Sequence, residues 1–497
     1  MRRWRLAALT LVAVFLTAAC GLRAPKEDVR AAERAALGNG NAALGAGAAA
    51  SSDQGAGGGG VGAGGTAAVG GAAGGAGGVG AGGGPASAAG GGTGGLTPGG
   101  IGVAAPAGGN GGSTDVGVTA TTITAGNVSD LGGPVPGLFQ GGPYGTQAYF
   151  DYVNSQGGIY GRKLVLKSVD DQLDCSQNEA GYQNLVGQVF AFVGSWSLDD
   201  YCGAQVLAQH PVPTVQQALS VQFTGLPGEY SIDPYNAGAI TGYFEYFKSK
   251  FPDAIGSVGT IVGNQPSAVQ SWKYFKGTME SLGYSIKYED DFPPAQSNFT
   301  ADVVRMKSQG IKMVFIIAVN APDLAIFSQE ASQQGFTVGA PGSPLKVFAS
   351  PIGYFGSYIS ESGGAQVVEG QYIPVVQARF LGEDAAAIPE IALFDQWMKK
   401  DFSSFPTDQF SNASWANAAL FVQALKNAGP QITRAKLLAA LAQIHSYSDN
   451  GTFPDTDVAS KKNSVCYLLL QIHGGAYTKV DDPSGGFRCD GTYHNVS

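Results

Sequence analysis

The chain has 497 residues, enough for more than one compact unit. Glycine supplies 76 of them, far above its usual share of roughly 7%, and the excess sits in one stretch, so the remainder has an ordinary globular composition. A formal charge of −9 with no Lys/Arg cluster excludes a surface built to hold nucleic acid or anionic lipid.

Residues 1–20 read MRRWRLAALTLVAVFLTAAC. Three arginines, an apolar run from Leu6 to Leu16 and the small residues Thr17, Ala18 and Ala19 make a signal peptide over 1–19. The run is shorter than the about 20 residues that a membrane-spanning helix needs. Cys20 directly after the small residues resembles a bacterial lipobox, which implies acylation of Cys20 and anchoring at the outer face of the cytoplasmic membrane. Two acyl chains hold a protein there where one does not. Thr17 stands where leucine is preferred, and an ordinary signal peptide with an incidental Cys20 is the alternative. Residues 20–113 are then a Gly/Ala-rich tether, with no charge between Asp53 and Asp115. Such a segment is expected to be disordered, and about 75 residues of it span roughly 45–50 Å on average. Cys175, Cys202, Cys466 and Cys489 form two local pairs, a pattern of exported proteins.

From about Thr114 the texture changes. Strands are expected at 121–124, 164–166, 189–193 and 212–215, with a helix over 142–156 that sets Tyr149, Tyr152 and Val153 on one side. The rhythm restarts after about Ala237. Strands follow at 258–262, 312–318 and 345–349, with helices at 268–281 and 323–333. Phe299, Val303 and Met306 mark an amphipathic helix by their spacing. Alternating strands and helices argue for parallel sheets covered on both faces. Two such runs argue for two lobes, with a ligand site outside the carboxyl ends of the strands, between the lobes.

The segment 123–174 carries Asn154-Ser155-Gln156-Gly157-Gly158-Ile159-Tyr160-Gly161-Arg162-Lys163 and then Asp170-Asp171. With VFAFVGSWS (189–197) and VPTVQQALS (212–220), this ordered set resembles the leucine/isoleucine/valine-binding family of type I periplasmic binding proteins, over about 115–480. The resemblance implies an α/β fold of two doubly wound Rossmann-like lobes joined by a three-crossover hinge. Lobe one would be 114–236 plus 375–462, and lobe two 237–374 plus 463–497. It also implies a Cys175–Cys202 disulfide, worth roughly 3 kcal/mol by the loop-entropy model, and leaves Cys466 to pair with Cys489. The implied function is capture of a small amino-acid-like, carboxylate or amide solute for an ABC importer. The implied partners are the solute and the ABC permease subunits, with the protein a monomer that meets the membrane only through its lipid anchor and meets no nucleic acid. A sensing module with a separate membrane signalling partner is the alternative.

By the same resemblance the first-lobe loops hold the ligand through Ser195, Trp196 and Ser197, and through Ala218, Leu219 and Ser220. Ser197 is also read as the N-cap of a helix from Leu198. Trp196 is read as a stacking wall, or else a lid over the core. Phe139 is a wall or a core residue. In the second lobe the corresponding positions are Gln265, Asn320 and Ser350. The family's acidic partner for an ammonium group would fall near Ser350, where no Asp or Glu stands. A buried ammonium without such a partner is costly, so either another acid serves, Asp130 being the nearest, or the solute has no ammonium. No nucleophile elbow, zinc motif or Walker loop occurs, and the four histidines are scattered. Adjacent Asp170 and Asp171 would point to opposite faces of a strand. The expectation is no catalysis, no metal and no cofactor.

Overall fold

Strand β1 (Thr122–Ser129) sits in the middle of a parallel sheet, between β2 (Lys163–Asp170) and β3 (Ala191–Val193), with β4 (Thr214–Val215) and β5 (Glu229–Tyr230) beyond β3. Its last five residues are all buried, as a parallel strand covered on both faces requires. The structure, a computed structural model, describes residues 101–480 and 486–496. The expectations for the signal peptide, for Cys20 and for most of the tether lie outside the described residues.

Helices α1 (Gly141–Ser155), α2 (Cys175–Leu185) and α3 (Asp200–Gln209) connect the strands of this first sheet. Helix α3 starts two residues later than expected. Ser197 is therefore not its N-cap; Asp199 holds that position, and the Ser197 hydroxyl instead accepts a hydrogen bond from Asp199 N at 3.0 Å.

Past β6 (Gly238–Ile240) and helix α4 (Gly242–Lys250) a second sheet begins. It comprises β7 (Val258–Gly263), β8 (Ile286–Phe292), β9 (Met313–Phe315), β10 (Val347–Ala349), β11 (Tyr372–Val375), β12 (Leu468–His473) and β13 (Ala476–Lys479), in the order β13-β12-β11-β10-β9-β7-β8. Pairing is parallel from β8 to β11 and antiparallel at β12 and β13. Helices α5 (Pro266–Ser281), α6 (Thr300–Ser308) and α7 (Ala321–Gln333) are its crossovers. Phe299, Val303 and Met306 are fully buried, as their spacing predicts. The strand expected over 312–318 keeps its ladder only through Phe315, and Ile316–Ala318 run on beyond it. After β11 the chain returns to the first sheet, where α8 (Pro389–Asp401) and α9 (Gln409–Ala428) pack on α1 and α10 (Arg434–Leu441) on α9. It then crosses back to β12, and β14 (Tyr493–Asn495) closes on β6. The chain thus passes between the sheets three times.

Glycine lets α1 approach α9. A Cβ on Gly145 would lie 2.0 Å from the Ser411 carbonyl oxygen, and one on Gly141 would lie 2.2 Å from Asp408 Oδ1. That Asp408 carboxylate caps α9 by accepting from Ser411 N at 2.7 Å.

Residues 101–113, read from composition as the end of the tether, are docked on the folded part. The reason is Arg162, which has no exposed surface. Its guanidinium donates to the carbonyls of Thr119 (2.7 Å), Pro430 (2.9 Å), Asn110 (2.6 Å) and Gly112 (2.9 Å). Val103 adds backbone bonds to Gly158 and Gly161. A fixed five-donor fork can gather strands of backbone that a glycine-rich composition would leave free. Both disulfides are present, Cys175–Cys202 and Cys466–Cys489; the first joins the start of α2 to α3.

Replacing Arg162 by alanine removes four hydrogen bonds to part-buried carbonyls, and Arg162→Ala is expected to lower unfolding stability by about 2–3 kcal/mol. Arg162→Lys should recover only part of the loss, because one ammonium cannot reproduce the fork. Urea denaturation of the three proteins checks this, and equal midpoints would refute it.

Candidate functional site

A cleft opens where the carboxyl ends of the two parallel sheets face each other, the place where doubly wound sheets hold ligands. It encloses about 750 Å³ of space, part of it open to solvent. The first sheet contributes Val135, Leu138 and Phe139 from the loop after β1, Leu173 after β2, Leu198 after β3 and Leu219 after β4. The second contributes Gly263 at the end of β7, Phe292 at the end of β8, Ile317 to Asn320 after β9, and Ile352 after β10. The first two turns of α5 add Ser267, Ala268 and Ser271, and the first turn of α7 adds Asp323. Most of this wall is aliphatic or aromatic.

Of the ten positions expected to touch ligand, Phe139, Leu219, Gln265 and Asn320 line the cleft. Ser195, Trp196, Ser197, Ala218, Ser220 and Ser350 do not; each is buried behind the wall. Their polar atoms are spent on the scaffold. Ser195 Oγ accepts from Val128 N at 3.2 Å, and Trp196 Nε1 donates to Ser414 Oγ at 2.8 Å. Ser220 and Ser350 cap the short helices that follow them, at Phe223 N and Ile352 N. Trp196 backs the wall rather than forming it. Its ring centroid lies 5.8 Å from that of Phe139 and 4.9 Å from that of Phe410, and these two phenylalanines, 4.7 Å apart and edge to face, reach the cleft.

Asp130 is likewise not on the wall. It is fully buried, its carboxylate accepting from Leu198 N (2.9 Å) and Ser197 Oγ (3.2 Å). Burial, and then the neighbouring Asp171, hold its pKa well above the usual carboxylate range. It braces the loop that carries Phe139, whose N–H donates to the Asp130 carbonyl at 3.0 Å. Asp170 Oδ1 accepts from Leu131 N and Gly132 N, while Asp171 Oδ2 accepts from Asn178, so the two acids serve different partners.

The acid that does reach the cleft is Asp323, in the first turn of α7. Asn320 caps that helix through Asp323 N at 2.8 Å and donates through Nδ2 to Asp323 Oδ2 at 2.5 Å. Burial pushes the Asp323 pKa up to about 7, against the Asn320 hydrogen bond. Near neutral pH this group is therefore divided between acid and carboxylate. It can face an ammonium as the anion, or donate to a carbonyl or carboxylate oxygen as the acid. On the same side of the cleft, Ser267 Oγ is buried with no hydrogen-bond partner among the described residues, on the first turn of α5, where backbone N–H groups favour an anion. Sequence reasoning missed Asp323 because an acid three residues after Asn320, at the end of Asn-x-Pro-Asp, reads as part of a helix start. It missed Phe410 because that ring arrives from a helix some 270 residues away.

Among the described residues no group of three or more His, Cys, Asp or Glu side chains is placed to hold a metal. Nor does a nucleophile meet a base in the cleft wall, which carries no His, Lys or Cys.

A folded-state pKa above the ordinary value of 3.8 means that burial favours neutral Asp323. Its contribution to stability is full below about pH 4 and is lost as pH rises through about 7. Asp323→Asn is therefore expected to match the parent near pH 4 and to melt a few degrees higher at pH 8 without ligand. Thermal denaturation across that range checks it, and a variant less stable at pH 8 would show Asp323 charged and paired.

The chain matches the family model described as periplasmic binding protein over residues 122–476. It is 22% identical over 315 residues to the Leu/Ile/Val-binding protein homolog 7 of Brucella abortus, covering 61% of this chain and 76% of that one. Its fold is similar to that of a fatty acid ABC transporter substrate-binding protein from Thermomonospora curvata, with TM-score 0.63 and 18% identity over 79% of this chain and 97% of that one. It is also similar to an ABC transporter solute-binding protein from R. palustris in complex with 4-hydroxybenzoate, with TM-score 0.59 and 18% identity over 72% and 96%. The chain belongs to the periplasmic binding protein family, with the type I fold of its leucine/isoleucine/valine-binding members, and it is an extracytoplasmic solute-binding protein and not an enzyme.

Proposed function

We propose that the protein is the lipid-anchored solute receptor of an ABC importer, and that it takes a small amino-acid-like, carboxylate or amide solute into the cleft by closure about the three crossings. The observation that carries this reading is the wall itself: apolar side chains from both sheets, with polar atoms confined to the second-lobe side at Gln265, Ser267, Ser271, Asn320 and Asp323, apart from Tyr235 in the crossing. A pocket of that kind takes an apolar body and orients one polar head. The relatives named above are described with ligands of this shape, an apolar body bearing a carboxylate. With no Lys or Arg in the wall, a carboxylate head here would rest on the α5 first turn, the Ser267 hydroxyl and neutral Asp323. An ammonium would rest on ionised Asp323. On this reading Asp323 from α7 would stand in for the acid missing near Ser350.

A thermal-shift screen of the purified protein tests the reading across branched-chain amino acids, amides, fatty acids and aromatic acids. A true ligand at 100-fold its dissociation constant adds about 2.7 kcal/mol. No response in any class would overturn the proposal. The anchor is tested separately: Cys20→Ser is expected to move the protein from the membrane fraction to the soluble fraction, and retention at the membrane would refute acylation at Cys20.

A further inference from the structure

A second cavity lies against the first. It holds about 720 Å³ of space, part of it open to solvent, beside the about 750 Å³ of the cleft. The two share four wall residues, Val135, Leu138, Ile352 and Phe410. All four are apolar, and they come from three separate segments: the loop after β1, the turn after β10 and the start of α9. The side chains common to both cavities are therefore apolar and come from separate parts of the chain. Of these, Leu138, Ile352 and Phe410 are only half-buried, so they retain room to turn.

The first cavity carries the unpartnered Ser267 hydroxyl, Asn320 and Asp323. The second adds Pro136, Ala321, Pro322, Phe355, Phe405 and Pro406, with polar groups at Ser357, Glu361, Asp408 and Gln409 and no Lys or Arg. Glu361 is exposed at the rim, and the Asp408 carboxylate is engaged in capping α9. The two cavities thus adjoin at apolar side chains.

We propose that the two cavities are head and tail compartments of one ligand site, and that the solute is an elongated amphipathic molecule with an unbranched or aryl-alkyl tail. This rests on the solute-binding reading above and narrows its substrate class. The head meets Ser267, Asn320 and Asp323. The tail passes between Leu138, Ile352 and Phe410 into the proline- and phenylalanine-lined space. A solute the size of leucine would occupy the first compartment only.

The test is calorimetry on the mature protein with two homologous series, straight-chain primary amides and straight-chain α-amino acids, each from four to about twelve carbons. Once the first compartment is filled, affinity is expected to rise about three- to fourfold per added methylene. Ser357→Phe places bulk in the second cavity, and Pro406→Trp does so from another segment should the first variant not fold. Either is expected to abolish the rise while leaving the four-carbon members within about twofold of the parent. If short members bind and affinity is flat with length, or if both blocked variants keep the rise, the two-compartment site is overturned and the solute-binding reading stands. If no member of either series binds, and no class in the thermal-shift screen responds, both are overturned.

Discussion

The cleft depends on a tie between two of the crossings. Asn236 Nδ2 donates to Asn463 Oδ1 at 2.6 Å and to the Lys461 carbonyl at 3.2 Å. Asn463 Nδ2 returns to the Asp233 carboxylate and to the Pro234 carbonyl. Asp233 also accepts from Gln217 at 3.0 Å, so the loop after β4 is joined to the same knot. Burial raises the Asp233 pKa to about 6, against the hydrogen bonds from Asn463 and Gln217. Side chains that pair with one another across two strands of chain hold those strands in register where no sheet ladder does. With the crossings held side by side, the carboxyl ends of both sheets are obliged to face one another. Every wall residue of the cleft follows from that.

Behind the first-lobe wall runs a second layer whose work is to hold the wall still. Asn178 links Asp171 to Ser197, Ser197 meets Asp130, and Asp130 carries the backbone of Phe139. Trp196 stands behind both Phe139 and Phe410 and is itself fixed by Ser414. Buried polar groups are tolerated because nearly every one finds a partner, and the partners here lie on the loops after β1, β2 and β3 and on α9. The residues that read most strongly as ligand contacts therefore position the contacts instead. The side chains that meet solvent in the cleft are mostly apolar, and apolar loop residues carry little signal when a sequence is read for chemistry.

Strand-helix alternation, the Gly-Gly-Ile-x-Gly-Arg run and the two cysteine pairs lie in local order along the chain, and local order is what periodicity and spacing report. Two sheets with parallel cores and a cleft at their carboxyl ends were legible for that reason, and the two disulfides through the family resemblance. Phe139, Leu219, Gln265 and Asn320 were legible as wall residues because each follows a recognisable strand. Residues 101–113 were misread because composition counts glycines and cannot see that Arg162 is waiting for their carbonyls. The start of α3 was misread because a serine before a helix has two uses, and the side chain chose Asp130.

What the sequence by itself determined is thus the family, the two-lobed fold and the level of the sheets at which the cleft opens. Tertiary structure alone decided which side chains form the surface of that site. Asp323 replaces Asp130 as the acid in the cleft, and Phe410 joins Phe139 across some 270 residues. A chain segment states which residues neighbour it in order. Whether a loop residue faces the cleft or the scaffold depends on backbone three or four strands away, and only the packed fold brings that backbone near.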